Sequence, residues 1–276
     1  MTTLGAPDLP RLASQSRDGW IRVLGRSGLV AKGLSYALVG FLALEVAIGE
    51  GGQATSRPGA LATIAGHTWG QLLLVALAVG FAAYALWRLA ETIWPSGDDD
   101  FYKRTAKRIG TLGRAAIYAG LTYSALKIAF GSAGEESQNA KAHRTTAEVL
   151  SWNQGKWIVG AAGVCILAAG IYNAYRGVTR KFTKRWDTAS MRGATRTWGE
   201  RIGLVGLLAR AVVFCLIGAF VIKAAVDFNP RDAIGLDGAL QKLANESYGS
   251  WLLGLTAAGF VAYAVFCLIE ARYRDV

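Results

Sequence analysis

The chain has 276 residues, of which 53% are hydrophobic and only 18% charged, against about 25% charged in an ordinary soluble domain. Lys and Arg number 30 and Asp and Glu 19, a basic balance that raises nucleic acid as a partner until its distribution is examined. The three cysteines fall inside apolar runs, which excludes a disulfide framework or a C-x-x-C metal site.

Residues 1–19 form a polar, basic N-terminal tail. The first apolar run, 29–48, lies in "GLVAKGLSYALVGFLALEVAIG" and carries Lys32 near its start and Glu45 near its end. An outer loop follows, with a short amphipathic segment at 59–66, and then a second run at 71–93 containing Arg88 and Glu91. The third run, 111–130, holds Arg114 and Lys127, and the fourth, 157–175, holds Asn173 with Arg176 just beyond it. A basic linker, 183–197, leads to the fifth run, 204–226, with Arg210 and Lys223. A second amphipathic segment at 238–245 precedes the last run, 250–269, which ends beside Glu270. About 20 residues of helix rise ~30 Å, the thickness of the hydrocarbon core. None of the five prolines interrupts a run. Backbone groups in lipid must be satisfied within the segment, and these runs do not alternate in polarity as barrel strands do, so each is expected to be a helix. Core helices of a soluble protein are the competing reading, and six such runs disfavour it.

The basic charge is one-sided. Twenty-two Lys and Arg flank the ends shared with the termini, and six lie in the opposite loops. That bias predicts a multi-pass protein of the inner (plasma) membrane with both termini cytoplasmic, and it leaves no need for a nucleic-acid partner. No secretory leader is expected, because the first run is long enough to span. The basic segment 180–201 is a further place where anionic lipid headgroups would bind.

The runs repeat. A shift of 82 residues places Gly28 on Gly110, Lys32 on Arg114, Tyr36 on Tyr118 and Glu45 on Lys127. A shift of 178 places Gly28 on Gly206, Lys32 on Arg210, Tyr36 on Phe214 and Glu45 on Lys223. A shift of 179 lays Gly70, Gly80, Tyr84 and Glu91 on Gly249, Gly259, Tyr263 and Glu270. The middle copy is looser, with Gly155 in the place of Gly70, Ala169 in that of the tyrosine and Arg176 in that of the glutamate. Repeats at 20–97, 98–182 and 198–276, each of two spans, return the chain to its starting side. Consecutive units then share one orientation, around an axis normal to the membrane. The expected fold is all-α and integral to the membrane: six transmembrane helices as three tandem two-helix repeats around a pseudo-three-fold axis.

With its GAL-x-x-(I/L)-A, G-x-x-L-L and G-x-x-A-Y-A elements, this pattern resembles the bacterial membrane family called domain of unknown function 1206. The resemblance covers nearly the whole chain from about Trp20. It implies a similar three-repeat, six-span topology, and it brings no catalytic residues.

Two readings fit the inner cations Lys32, Arg114 and Arg210. They snorkel to the interface, or they pair with carboxylates of the second helices, Lys32 with Glu91 and Arg210 with Glu270. Glu45, Lys127 and Lys223 lie about 6 Å below the outer loops by helical rise. Thirteen residues turn a helix by about 220° net, so the outer charges face nearly away from the inner ones. A charge costs ~2.5–3.5 kcal/mol at a helix centre in the membrane and less toward an end. Snorkelling, pairing of Glu45 with Lys127 or Lys223, and a polar route lined by all three are the readings open there. Trp20, Tyr102 and Trp198 on one side, and Trp69, Trp157, Tyr248 and Trp251 on the other, are expected to anchor at headgroup depth. His67 and His143 read as solvated loop residues. No Ser/His/Asp order, paired carboxylates or phosphate loop stands out, so no enzyme, cofactor or metal is expected. An accessory or scaffold protein binding lipid, a membrane partner or a second copy leads. A small channel or transporter, with Glu45, Lys127, Lys223, Arg88 and Asn173 as polar contacts, is the alternative.

Overall fold

A computed structural model describes residues 9–49, 61, 69–93, 101–130 and 137–274. Among these residues the chain forms eight α-helices and no sheet, only one isolated bridge between Trp186 and Arg274. The long helices are α1 (Leu9–Ala47), α2 (Gly70–Ile93), α3 (Phe101–Ala129), α5 (Gly155–Val178), α6 (Gly193–Val226) and α8 (Gly249–Tyr273). Between them lie two short ones, α4 (Gln138–Leu150) and α7 (Leu236–Ala244). The helix of α7 answers the expected amphipathic segment at 238–245. Its counterpart at 59–66 lies outside the described residues except for Leu61, which is fully buried.

Among the described residues five helices are long and apolar enough to cross a membrane: the Arg22–Ala47 part of α1, and α2, α5, α6 and α8. These mark a membrane protein. The remaining long helix, α3, is the least apolar, because Arg114, Lys127 and a scatter of Thr, Tyr and Ser dilute its run. The structured chain also outruns the apolar tracts. Helix α1 begins at Leu9 and α6 at Gly193, inside the stretch read as a linker. No proline follows Pro10 until residue 58, so nothing stops the helix short of the polar N-terminal segment.

Antiparallel contacts order the bundle. Gly28 meets Tyr84 and Gly80 meets Ala31, joining α1 to α2; Gly206 meets Tyr263 and Gly259 meets Ala209, joining α6 to α8 in the same way. The other strong interfaces join the second long helix of one unit to the first of another: α2 to α3, α5 to α6 and α8 to α1. The spatial order is therefore α3–α2–α1–α8–α6–α5. Helices α3 and α5, which belong to one sequence unit, share no packed face among the described residues.

The starts of α1 and α6 and the ends of α2 and α8 lie at one end of the bundle. After α5 the chain turns at Arg180, whose φ of 52° is left-handed, into a 3-10 turn at Lys181–Arg185. Phe182 and Trp186 then stack on Phe266 at 5.2 and 6.3 Å between ring centres, and the Asp187 N–H donates to the Tyr273 carbonyl at 2.8 Å. At the opposite end Asp237, buried, ties the two short helices together. Its carboxylate accepts from the Asn139 N–H (3.2 Å) at the start of α4 and from the Gly238 N–H (3.0 Å) in α7. Unpaired N–H groups at helix starts need such acceptors, and a negative charge suits them.

Candidate functional site

Two of the three inner cations, Lys32 and Arg210, gather on tyrosines. Arg210 reaches from α6 to donate to the Tyr263 hydroxyl of α8 at 2.6 Å. Its guanidinium carbon lies 4.5 Å from the Tyr263 ring centre, 5.2 Å from Phe214 and 5.3 Å from Tyr36. The Nε of Arg210 is buried without a hydrogen-bond partner among the described residues. From α1, the Lys32 ammonium stands 5.1 Å from the Tyr263 ring and 5.8 Å from the Tyr84 ring. Tyr84 in turn accepts from Arg88 at 2.7 Å and packs on Tyr118 at 4.3 Å. Tyr36 meets Tyr263 edge-on at 4.8 Å. A cation over an aromatic face gains ~0.5–2 kcal/mol, more as water is excluded.

Of the two readings, the pairing of Lys32 with Glu91 and Arg210 with Glu270 is not the arrangement the helices adopt. Glu91 is bound by Arg88 on its own helix at 2.5 Å, and Glu270 by Arg274 at 3.5 Å. The reason is axial position. Each carboxylate follows its tyrosine by seven residues, about 10 Å of rise, and is taken up by an arginine of its own helix rather than by Lys32 or Arg210. Arg88 and Arg274 stand closer, and their guanidinium carbons lie 4.1 and 5.1 Å from the Trp87 ring. Among the described residues Lys32 and Arg210 have no carboxylate at ion-pair distance, and the rings take its place.

The other candidates are scattered. Arg114 is exposed and its Nε donates to Gly110 O of its own helix at 2.9 Å. Asn173, buried, donates to Ala169 O one turn back at 2.8 Å. Arg176 is half-buried. Lys223 binds Asp232 at 2.9 Å and Asp227 at 3.2 Å in the adjoining loop. Of the three open readings, the pairing of Glu45 with Lys223 is not adopted, since the chain supplies an acid four residues on from Lys223. Glu45 is half-buried and Lys127 exposed, and neither forms an ion pair among the described residues. The three outer charges do not converge.

Trp20, Trp69, Trp157, Trp198, Tyr248 and Trp251 are all exposed at their ends of the helices, while the Tyr102 side chain lies outside the described residues. His143 departs from its reading as a solvated loop residue: it sits half-buried on α4, and its Nε2 has no hydrogen-bond partner among the described residues. His67 lies outside the described residues. The three thiols are free, Cys165 exposed, Cys215 half-buried and Cys267 buried. Tyr84, Tyr263, Arg274 and Asp237 were not singled out from sequence. The signal for the tyrosines was present, one aromatic hydroxyl recurring at one position of the repeat.

The sequence model of the family described as Domain of Unknown Function (DUF1206) matches three times, at residues 27–94, 109–180 and 205–274. The "Uncharacterized protein YxxB" of Bacillus subtilis (strain 168) is 32% identical over 264 residues, covering 95% of this chain and 94% of that protein. No solved structure matches. Three matches in tandem, together with a relative alike from end to end, place the chain in the family described as Domain of Unknown Function (DUF1206).

Proposed function

We propose that the protein is a non-enzymatic accessory or scaffold protein of the bacterial inner membrane that binds lipid or a membrane partner. It crosses the bilayer six times as three two-helix repeats around an axis normal to the membrane, with both termini cytoplasmic. The recurring contact of one unit's second helix with another unit's first supports this arrangement, since the same joint is used between 1 and 2, 2 and 3, and 3 and 1. The role rests on one observation above all. The outer charges turn away from a common route, Lys223 into the loop acids and Lys127 outward, while rings fill the space around Lys32 and Arg210.

Flux assays in liposomes test it. Vesicles holding wild type, Glu45→Gln or Lys127→Met are expected to leak ions no faster than empty vesicles. Wild-type flux abolished by either substitution overturns the accessory reading and establishes a channel or transporter.

A further inference from the structure

The repeats supply an internal control for one place where the bundle is open. In units one and three the two long helices close on each other. Ser35 and Val213, equivalent positions on α1 and α6, are 2% and 1% exposed, whereas Ile117 at the same position of α3 is 58% exposed. On the second helices Trp87 and Phe266 are 4% and 1% exposed, and the equivalent Tyr172 of α5 is 60% exposed. The buried tyrosine of units one and three is Ala169 here, and a Cβ placed on Gly113, the equivalent of Ala31, meets nothing within 4 Å. Helix α5 is the least buried of the five apolar helices, its apolar stretch 17% buried against 33–56% for α1, α2, α6 and α8. A seam lined by Gly113, Ile117, Gly120, Cys165, Ala169 and Tyr172 therefore runs between α3 and α5. From Gly113 to Gly120 it rises about 10 Å, about a third of the ~30 Å hydrocarbon core.

The charge at one end of the seam is reversed as well. Units one and three place a glutamate there, Glu91 and Glu270, and unit two places Arg176. Arg114 enters from α3. It lies within electrostatic reach of Arg88, Glu91 and Arg176, and of these Glu91 is already bound by Arg88. With its Nε on Gly110 O, Arg114 keeps its terminal amines for another acceptor. Among the described residues neither Arg114 nor Arg176 makes an ion pair.

We propose that the seam between α3 and α5 binds an anionic glycerophospholipid, its headgroup phosphate held by Arg114 and Arg176 and an acyl chain lying along Ile117 and Tyr172. The inference rests on the membrane reading above and specifies the lipid site within it. A free phosphate satisfies the arginines but leaves the apolar seam empty. A zwitterionic lipid brings a cation back to a site that already has two. An added protein helix has to carry its own acids to this depth.

The test is native mass spectrometry of the full chain in detergent, offered phosphatidylglycerol, phosphatidylcholine or glycerol phosphate. Phosphatidylglycerol is expected to be retained over phosphatidylcholine by roughly tenfold to thirtyfold, the effect of two basic side chains at a lipid surface. Arg114→Gln with Arg176→Gln removes that preference. Ala169→Tyr, which restores the residue of the other two units, lowers retention of both lipids with the arginines intact. Lys184→Gln, an exposed cation at the same end, changes neither. Equal retention of the two lipids by wild type, a preference unaltered by the double substitution, or displacement of phosphatidylglycerol by equimolar glycerol phosphate overturns the site. Membrane fractions washed at high pH separate this from failure of the membrane reading. A chain that stays in the pellet yet shows no lipid preference loses the site alone, and a chain released into the wash loses both.

Discussion

Three equivalent glycines make the sharpest prediction, because the same substitution meets three different surroundings. A Cβ on Gly28 comes within 2.5 Å of Tyr84 Cβ and 2.6 Å of its Cα; one on Gly206 comes within 2.6 Å of Tyr263 Cα and 2.7 Å of its N. Backbone atoms cannot swing aside, so the helices have to separate. Overpacking of this kind costs about 1–3 kcal/mol, against about 1 kcal/mol that alanine gains over glycine in a helix. Gly110 has only its own neighbour's side chain, Arg114 NH2, at 3.5 Å, so alanine there keeps the gain and meets no clash. Thermal unfolding in one detergent, followed by tryptophan fluorescence, should show Gly28→Ala and Gly206→Ala destabilised by up to about 2 kcal/mol and Gly110→Ala unchanged or stabilised by up to about 1 kcal/mol. Three shifts of one sign and similar size would refute the closed, open, closed description of the units.

Tyr263→Phe removes the hydroxyl that receives Arg210 and is expected to cost about 1.5–3 kcal/mol, as for other bonds to a charged group; in the Arg210→Met background the same change should cost far less, which a double-mutant cycle measures. Asp237→Ala strips two helix-start N–H groups of their acceptor and should cost about 1–2 kcal/mol, read as faster amide exchange at the first turn of α4. Lys223→Met breaks two pairs on an exposed lysine, where water and salt screen the attraction, so the unfolding midpoint should coincide with that of wild type.

Much of the architecture was legible because it follows from local physics. An uninterrupted apolar run has to be a helix in lipid, and Gly28, Gly206, Gly80 and Gly259 recur where helices touch. What escaped the sequence depends on how far along a helix its partner sits. Lys32 and Arg210 found rings rather than glutamates because the tyrosines lie level with them and the acids lie two turns away. Helix α1 runs back to Leu9 because a polar stretch without proline is no barrier to a helix. The substitutions Ala169 and Arg176 were visible as divergences of the middle copy, but only packing shows that they coincide with an open seam. The buried Asp237 left no trace, since the bond that ties it to α4, from the Asn139 N–H, joins segments nearly a hundred residues apart.

The six-span reading turns on α3, the long helix diluted by Arg114 and Lys127. Sidedness reporters fused after residue 99 and after residue 134, on either flank of α3, address it directly, with fusions at both termini as references. The reporter after residue 99 is expected on the side of the termini and the one after residue 134 on the opposite side. Both flanks on one side would leave α3 uncrossed and contradict the three-repeat arrangement.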